Sequence, residues 1–506
     1  MRLFHKIGWL SKRNFSYKGY STAATGWRST IGLELHVQLL TKQKLFSVAS
    51  AKWNDAPNTN VCMVDAGIPG SLPRLNPHCV RLAARAILGL NGQIQQISSF
   101  DRKHYFYLDQ PLGYQITQQQ HPIGKGGFIE LVYQTKGLNR SKKVHIHQLQ
   151  LEQDTAKSVH DIYSDYVLVD LNRAGVALIE IVTKPDIDTA EEAAQFVRKM
   201  QVLLRHIGVS HCNMEDGSMR CDVNVSVYRD GDDRLSGTRC ELKNLNSLKV
   251  IRNAIGAEIA RQIELLTAGK LVAQETRGFD ARSGETFLAR SKEAAPDYRY
   301  MPDPDIPEVH ISQDWIKNAR SLPELPEVTR ERLQRQYDLS REDIETMINE
   351  PGCVFFFEQS ALGRDPKRVA AWVTSEIFGQ LSYRAQRLAD SPLTVTQLGE
   401  LLDSIACNTI TSLQAKQLLI ELMNGETRTI AELIKAHGCK VLEDESQIRQ
   451  IANDTLDSYP KEAAAYLKGQ TRRLNFLIGK TIQATKGQAR PQEVSRIVKE
   501  LLDSKK

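Results

Sequence analysis

Ile31-Gly-Leu-Glu-Leu-His-Val-Gln38 is the stretch of sequence that decides the fold, because apolar and polar residues alternate along most of it. Such alternation predicts a half-buried β-strand, in which residues two positions apart project from the same face. Glu34 and His36 therefore share one face. Because burial of an unpaired carboxylate is costly, the pair needs a partner. Two interpretations are open: a structural Glu–His hydrogen bond, or one wall of a site for a hard cation or a reacting phosphate group.

The same alternation recurs along residues 30–295 and is interrupted by helical patterns. It predicts strands at 129–133, 143–152, 166–170 and 220–227, and the helical patterns predict helices at 78–90, 191–207 and 247–268. Strands grouped with inserted helices predict an α+β domain built on a mixed or antiparallel sheet.

A proline-dense stretch follows at residues 296–326 and predicts an extended connector, because proline cannot continue a helix. Beyond it the pattern is helical to the end of the chain, with predicted helices at 327–337, 340–349, 366–381 and 490–502. The sequence therefore predicts a catalytic domain at 30–295, a helical domain at 296–392 and a helical tail domain at 393–506.

Composition restricts the class of protein. A chain of 506 residues is long enough for two to four domains, and its formal net charge of +6 is compatible with a nucleic-acid partner without demonstrating one. No apolar run approaches the roughly 18 residues that a membrane-spanning helix needs. The eight cysteines form no CxxC pair, so free thiols in a reducing compartment are the expectation.

Residues 1–29 differ from the rest of the chain: they are rich in Lys, Arg and Ser, and no acidic residue precedes Glu34. This composition predicts an organelle transit peptide, mitochondrial first and plastid second. The alternative is a basic tail that binds RNA. A processing site is expected between residues 16 and 26.

Further polar clusters lie in strand-like settings: Glu152 with Asp154, Arg220 with Asp222 and Asn224, and Glu241 at the start of Glu241-Leu-Lys-Asn-Leu-Asn-Ser247. Any one of them is explained by a solvated strand face. Together with Glu34 and His36 they favour a polar cavity in which carboxylates hold Mg²⁺ and cations neutralise phosphate. The candidate cations are Arg102, Lys103, Lys157 and Arg173.

Sequence patterns for the common nucleotide sites are missing. The chain has no GxxxxGK[ST] segment and no GxGxxG after a strand, and Gly124-Lys-Gly-Gly127 is interpreted as a hairpin turn. A sheet-based ATP site without a P-loop is therefore the enzymatic possibility that remains.

An ordered series of motifs resembles the B subunits of the tRNA-dependent glutamyl/aspartyl amidotransferases, over nearly all of the chain that follows the predicted transit peptide. The motifs include Phe100-Asp-Arg-Lys-His-Tyr-Phe-Tyr107, Leu151-Glu-Gln-Asp-Thr-Ala-Lys-Ser158, Val169-Asp-Leu-Asn-Arg-Ala-Gly-Val176, Leu178-Ile-Glu180, Asp297-Tyr-Arg-Tyr300 and Ala484-Thr-Lys-Gly-Gln-Ala489.

The resemblance implies a fold similar to glutamine synthetase in the catalytic domain, followed by a helical domain and a tail that grips tRNA. It implies ATP-dependent phosphorylation of the γ-carboxylate of Glu-tRNA(Gln), followed by amidation with ammonia. The ammonia would come from a separate amidase (glutaminase) subunit, because this chain lacks an amidase sequence. A small third subunit, which the sequence does not identify, would complete the assembly, and the use of Asp-tRNA(Asn) stays open.

The resemblance also suggests roles for individual residues. Catalysis is assigned to Glu34, His36, Glu152 and Glu241, of which the last three are the expected metal ligands. Arg102, Lys103 and Lys157 are expected to contact ATP, and Tyr114, Asn172, Arg173 and Lys486 to contact the aminoacyl-tRNA. For Tyr114, Asn172 and Arg173 ordinary packing is the alternative. Lys486 belongs to a basic cluster in the tail that suits RNA phosphates.

The sequence departs from the family pattern at two places. The acidic motif Glu-Glu-Asp reads Glu152-Gln153-Asp154 here, which lowers the expected metal affinity if the middle residue is a ligand. A zinc-binding cysteine cluster is reduced to Cys62, so no zinc is expected. Gln153 keeps open a second hypothesis, a catalytically idle tRNA-binding scaffold. A third, an amide ligase for free glutamate, is disfavoured by the basic tail.

Overall fold

The computed structural model describes residues 26–52, 54–135, 138–160, 166–291, 297–319, 321–442, 444–467 and 470–504. The chain divides into two compact units, the first ending at Leu325 and the second beginning at Pro326. Among the described residues, no helix is long and apolar enough to cross a membrane.

Among the described residues, strands occur only in the first unit. They are β1 (Trp27–Gln38), β2 (Gln93–Ile94), β3 (Ile97–Ser98), β4 (Asp101–His104), β5 (Tyr114–Thr117), β6 (Gly124–Lys125), β7 (Phe128–Thr135), β8 (Leu138–Gln153), β9 (Lys157–His160), β10 (Val167–Asp170), β11 (Ala177–Thr183), β12 (Met219–Arg229), β13 (Cys240–Leu245), β14 (Glu275–Asp280), β15 (Glu285–Ser291), β16 (Met301–Pro302) and β17 (Val309–His310).

Helices occur in both units. The first unit contains α1 (Pro77–Gly89), α2 (Ala190–His206), α3 (Leu248–Thr267) and α4 (Gln313–Ala319). The second contains α5 (Pro326–Tyr337), α6 (Arg341–Asn349), α7 (Cys353–Ala361), α8 (Pro366–Ala371), α9 (Phe378–Arg384), α10 (Val395–Ala406), α11 (Ser412–Leu422), α12 (Ile430–Ala436), α13 (Glu445–Ser458), α14 (Pro460–Leu467), α15 (Arg472–Ala484) and α16 (Pro491–Asp503).

A ten-stranded mixed sheet forms the centre of the first unit, in the order β15-β14-β13-β12-β1-β11-β8-β6-β2, with β7 also paired to β8. The strand β1 lies in the middle, antiparallel to both β11 and β12. Its residues Ile31, Leu33, Leu35 and Val37 are at most 1% exposed and pack into one core with apolar residues of α1, α2 and α3. The opposite face of β1 is therefore left to its polar residues.

Local sequence explains where the three large helices begin. The side chains of Asn76, Thr189 and Ser247 accept hydrogen bonds from the first turns of α1, α2 and α3, which satisfies backbone donors that have no partner inside the helix. These helices and the strands β7, β8, β10 and β12 confirm the α+β class and the elements predicted from the sequence.

The hairpin turn predicted at Gly124–Gly127 is wrong. Both β6 and β7 pair with β8, so the two short segments form one interrupted strand rather than the two arms of a hairpin. Gly126 and Gly127 adopt positive φ angles of 69° and 97° at the interruption. A Cβ on Gly127 would lie 2.5 Å from the carbonyl oxygen of Leu90, so only glycine fits there.

The proline-dense segment also differs from the extended connector predicted for it. β16 pairs with β4, and β17 pairs with β3, so the segment returns to the first unit. Proline is compatible with these short edge strands because an edge position leaves its nitrogen without a required partner. The observed division consequently falls at residue 325 rather than at 295, whereas the proposed division at 392 stays a prediction.

The N-terminal prediction lies largely outside the described residues, which begin at Gly26. Trp27 to Ser29 already belong to β1 and pair with Val227 to Arg229 of β12. Removal of all 29 residues would therefore take away part of a central strand, so a processing site before residue 26 is the version of the prediction that fits the fold.

The second unit is helical, as the sequence predicts. The helix predicted at 366–381 is divided into α8, a π-helical segment (Trp372–Ile377) and α9. The last helices share a core formed by residues of α13, α15 and α16, including Ile448, Leu477 and Ile497, each at most 1% exposed.

Candidate functional site

The polar face of the central sheet carries its side chains in register. Antiparallel pairing places Glu180, His36 and Arg220 next to one another across β11, β1 and β12. Glu34 and Asp222 are paired in the adjacent row. Side chains opposite one another on neighbouring strands lie about 5 Å apart, so these groups are close neighbours on the face. The alternation in β1 thus places Glu34 and His36 on one face, as predicted.

His36, Glu152 and Glu180 converge on this face, and we call them the acidic trio. Each offers a ligand atom, and these three atoms lie within 4.8 Å of one another. The Nε2 atom of His36 lies 3.3 Å from Oε1 of Glu152. Among the described residues, this trio is the group of His, Cys, Asp and Glu side chains whose spacing suits a metal ion.

Neighbouring strands hold the two carboxylates in place. The amide of Gln150 donates a hydrogen bond of 2.6 Å to Oε2 of Glu180 and one of 3.2 Å to the hydroxyl of Thr117. That hydroxyl donates in turn to Oε2 of Glu152, at 3.4 Å. The strand β5 therefore covers Glu152, which is only 2% exposed although it lies on the polar face.

Burial shifts the pKa values of two side chains of the acidic trio. It raises the pKa of Glu152 well above the ordinary 4.5, and the Glu180 carboxylate raises it further. Burial also lowers the pKa of His36, which therefore keeps a free ring nitrogen near neutral pH. The trio consequently gains from a cation that would compensate its carboxylates.

Lys103 supplies the neighbouring positive charge. Burial lowers the pKa of its amine, but Glu152, Tyr300 and Glu180 together outweigh burial and raise the pKa overall. Its Nζ lies 4.9 Å from the ring centre of Tyr298, so an aromatic side chain shelters the charge. Lys103 was predicted to contact ATP, and the structure places it beside the acidic trio.

A second group of charges surrounds Glu241. Its carboxylate accepts from the hydroxyl of Thr276 at 3.0 Å and lies 3.1 Å from Nζ of Lys243, which is 2.5 Å from Asp222. Glu34 accepts a hydrogen bond of 3.0 Å from the amide of Asn224 in the next row. Burial raises the pKa of Glu34, and nearby carboxylates including Glu241 add to the effect. Glu241 therefore lies in the same polar face but outside the acidic trio.

Arg220 has a hydrogen-bond donor without a partner on the polar face of the sheet. One guanidinium nitrogen lies 2.5 Å from Asp154, while its buried Nε has no hydrogen-bond partner among the described residues. Arg220 is also the direct neighbour of His36 in register. A buried donor without a partner next to a cluster of carboxylates and a lysine is a position for an anionic oxygen.

Two predicted residues are engaged in structural contacts. Arg102 forms ion pairs of 3.0 and 2.8 Å with Asp303 and Asp305, and its guanidinium lies 4.3 Å from the ring centre of Tyr114. These contacts link β4 to the segment that follows β16. The assigned contacts of Tyr114 with the aminoacyl end and of Arg102 with the nucleotide stay predictions.

Asn172 and Arg173 also bind their own chain. Asn172 is fully buried, and its amide group accepts from the backbone of Asn60 and donates to that of Ala56, both at 2.8 Å. Arg173 donates to the carbonyl oxygens of Thr155 and Ala156 at 2.8 and 2.7 Å. These contacts are compatible with packing, and the assigned contact of both residues with the aminoacyl end stays a prediction.

The remaining predicted residues are not members of the acidic trio. Lys157 is exposed on a two-stranded sheet formed by β9 and β10. Lys486 belongs to the second unit, where it is exposed and has a positive φ of 53° in the turn after α15. Their assigned contacts with ATP and tRNA stay predictions.

Gln153 projects away from the acidic trio. Its Oε1 accepts from the backbone nitrogen of Ile116 at 3.3 Å, and its own carbonyl oxygen accepts from the Gln115 side chain at 2.7 Å. Strand alternation puts Glu152 on one side and Gln153 on the other. The departure at Gln153 therefore removes no carboxylate from the trio.

Glu180 is the member of the acidic trio to which the sequence assigned no role. It is a single carboxylate in the apolar strand β11, and it appeared only within a motif of the family resemblance. A lone charged residue in a run that is otherwise buried is a detectable signal, since such a residue needs a partner.

The donor set of the acidic trio fits a divalent cation. Two carboxylates and a neutral imidazole supply oxygen and nitrogen ligands, and the remaining positions of Mg²⁺ are commonly filled by water and substrate phosphates. With Lys103 and Arg220 on the same sheet face, the residues present have the donors that a site for a metal ion together with an anion needs.

Comparison with known proteins identifies the family. The family described as GatB/GatE catalytic domain matches residues 29–317, and the one described as GatB domain matches residues 355–502. The mitochondrial B subunit of the glutamyl-tRNA(Gln) amidotransferase of Naegleria gruberi is 40% identical over 98% of both chains. The B subunit of an aspartyl/glutamyl-tRNA(Asn/Gln) amidotransferase from Granulibacter bethesdensis is 42% identical over 95% of this chain and 98% of its own. The chain belongs to this family of amidotransferase B subunits.

We expect Glu180→Gln to lower the affinity of the protein for Mn²⁺, used as a probe for Mg²⁺, by about tenfold or more, because a ligand and a charge are lost together. Calorimetric titration of the purified chain measures this affinity. Glu285→Gln, on the exposed edge strand β15, is the matched control and should bind Mn²⁺ as the unmodified chain does. Equal affinity of both variants would show that Glu180 is not a ligand.

Proposed function

We propose that this chain is the subunit of a tRNA-dependent amidotransferase that converts Glu-tRNA(Gln) to Gln-tRNA(Gln) at the polar face of its central sheet. The observation that carries the proposal is the convergence of His36, Glu152 and Glu180 within 4.8 Å beside Lys103. Membership of the family of amidotransferase B subunits supports the choice of reaction.

The chemistry explains why such a face is useful. A carboxylate resists nucleophiles because of its charge and its poor leaving group. Transfer of the γ-phosphoryl group of ATP to the glutamate γ-carboxylate breaks the bond between the bridging oxygen and the γ-phosphorus and forms a carboxyl-phosphate bond. Ammonia then attacks the carbonyl carbon, phosphate leaves, and the extra proton passes to a base.

Different residues on the polar face of the sheet would perform different parts of this reaction. The acidic trio would hold Mg²⁺, which when bound offsets negative charge on the phosphates. Lys103 and the free Nε of Arg220 would bind oxygens of the transferred group. The carboxylate of Glu34 would accept the proton that ammonia loses.

The proposal includes partners and a compartment. Ammonia would reach the site from an amidase (glutaminase) partner, and a small third subunit would complete the assembly. The basic N-terminus and the mitochondrial relative support the mitochondrial matrix, with a plastid as the alternative.

A single-turnover reaction tests the function. The chain, purified with its partners, is mixed with Glu-tRNA(Gln), ATP, Mg²⁺ and ammonium, and both ADP and Gln-tRNA(Gln) are measured. We expect ADP release that depends on Glu-tRNA(Gln) and equals the amide formed. ADP release without dependence on Glu-tRNA(Gln), or none at all, would contradict the proposal.

A further inference from the structure

A lysine and an aspartate form a buried ion pair in the segment between β1 and α1 (residues 39–76). The Nζ atom of Lys44 lies 3.2 Å from Oδ2 of Asp65, and both side chains are at most 1% exposed. Lysine is almost never buried to this extent unless it is paired. Apolar side chains of similar volume often stabilise a fold as well as such a pair does, so the geometry that the pair imposes is its more informative property.

Asp65 connects separate points of this segment. Besides Lys44, its Oδ2 atom accepts a hydrogen bond of 3.0 Å from the hydroxyl of Ser47 and one of 2.9 Å from the backbone nitrogen of Cys62. One carboxylate oxygen therefore joins residues 44, 47 and 62, and each of these contacts depends on the position of Asp65.

The ion pair also holds the turn at residues 171–175, between β10 and β11. The amine of Lys44 donates a hydrogen bond of 3.3 Å to the carbonyl oxygen of Leu171. Gly175 has a φ of 79°, and a Cβ on it would lie 2.7 Å from Oδ1 of Asp65. The carboxylate therefore packs directly against the turn, where glycine leaves space for it.

The same turn fixes the backbone of Asp154. The nitrogen of Gly175 donates to the carbonyl oxygen of Asp154 at 2.9 Å, and the nitrogen of Asp154 donates to that of Val176 at 2.8 Å. The side chain of Asp154 lies 2.5 Å from a terminal nitrogen of Arg220. Asp65 is thus connected to Arg220 through Gly175 and Asp154.

The guanidinium group of Arg220 depends on this support for its orientation. Burial lowers its pKa, but the nearby carboxylates, with Asp154 foremost, outweigh burial and raise the pKa overall. Its Nε atom has no hydrogen-bond partner among the described residues, although Arg220 is the neighbour of His36 in register. A guanidinium group presents its donors in a rigid fork, so the placement of Asp154 at one end sets the direction of the free Nε.

We propose that Lys44 and Asp65 are positioning residues for the amidation reaction. They fix the guanidinium group of Arg220 beside the acidic trio, acting through the 171–175 turn and Asp154. This rests on the proposed function, in which Arg220 binds oxygens of the transferred phosphoryl group. Donors that stabilise developing charge must be held in place before the reaction, and a displacement of about 1 Å can cost about a hundredfold in rate.

A double-mutant cycle tests the connection between the ion pair and Arg220. Single-turnover amidation with ammonium is measured on the full chain, purified with its partners, for Asp65→Asn, Arg220→Gln and the two changes together. Asp65→Asn alone should lower the rate by about tenfold or more. In the presence of Arg220→Gln it should lower the rate by less than about twofold, because the group that it positions is already lost. A merely structural role would give the same factor in both backgrounds.

A second variant is needed because Asp65→Asn leaves the buried charge of Lys44 without its counter-charge. Asp154→Asn keeps the ion pair and an oxygen acceptor beside Arg220, and it should also slow the reaction by about tenfold, with the same dependence on residue 220. Denaturant unfolding of every variant allows the rates to be expressed per folded molecule. Asp232→Asn, in the exposed turn after β12, is the matched control and should react at the unmodified rate.

Equal rate factors with and without Arg220→Gln would overturn the positioning role, and so would a normal rate for folded Asp65→Asn or Asp154→Asn. These outcomes leave the proposed function intact, because the unmodified complex still forms the amide. An unmodified complex that forms no amide with ammonium would contradict the proposed function, and the positioning role would fail with it.

Discussion

Replacement of Glu152 by Gln is expected to reduce amide formation on Glu-tRNA(Gln) by about two to three orders of magnitude, because a group that acts on developing charge is neutralised without a change in size. Glu152 is 2% exposed and lies 3.3 Å from His36. The Gln side chain can still form hydrogen bonds with Thr117, so the fold should persist. Single-turnover amidation with ammonium separates this effect from any loss of ammonia supply by the amidase partner.

Gln153→Glu is the matched control for this variant, because it changes the neighbouring residue on the other side of β8. The carboxylate can still accept from Ile116, so amide formation per folded molecule should stay close to that of the unmodified chain. A gain in metal affinity on Gln153→Glu would show that this position faces the metal after all. The hypothesis of an idle scaffold rested on Gln153, and the orientation of its side chain removes that reason for it.

The largest effect on stability is expected at Glu258, on α3. Its carboxylate is fully buried and binds Arg261 at 2.6 Å, Gln262 at 2.8 Å and Thr286 at 2.8 Å. Glu258→Ala leaves these donors without their acceptor, so the free energy of unfolding should fall by about 3–5 kcal/mol. Denaturant unfolding measures the loss. Glu264→Ala, at an exposed carboxylate on the same helix, should change stability by no more than about 0.5 kcal/mol.

The same network predicts a dependence on pH. Burial acts to raise the pKa of Glu258, but the hydrogen bonds from Arg261 and Gln262 outweigh it and hold the pKa below 4.5. A carboxyl whose pKa is lower in the folded state stabilises the fold above its unfolded pKa, and this contribution is lost as the pH falls through the folded value. The difference in stability between the unmodified chain and Glu258→Ala should therefore shrink below about pH 4.5. A constant difference into stronger acid would contradict this account.

The sequence predicted those parts of the site that depend on one strand at a time. Alternation placed Glu34 beside His36 and Glu152 beside Asp154, because the two-residue period of a strand is a local property. It did not place Glu180 with them, because the register between β1 and β11 is set by residues about 150 positions apart. The resemblance assigned Glu241 to the metal, and that assignment stays a prediction because Glu241 lies outside the acidic trio.

Prediction of the fold from the sequence is limited in the same way, because local elements were predictable and pairing between distant segments was not. Helices α1, α2 and α3 carry their own caps and periodicity, so they were predictable from short windows of sequence. The pairing of Met301–Pro302 with β4 was not, because proline marks an end to local structure and gives no information on a distant strand partner. The same holds for Gly127, because its requirement for glycine comes from the carbonyl oxygen of Leu90.

The central position of β1 has a consequence for how the chain folds. The strand β1, the first among the described residues, pairs with two later strands, and Trp27 pairs with Arg229 across about 200 residues, which gives the sheet a high contact order. Until β12 has been made, one edge of β1 lacks its partner strand, and the apolar face of β1 lacks a complete core. The unpaired edge is then open to pairing with other chains. Folding of the first unit therefore cannot keep pace with synthesis from the N-terminus. The strand β1 therefore lacks its β12 partner until about 200 further residues of the chain are available.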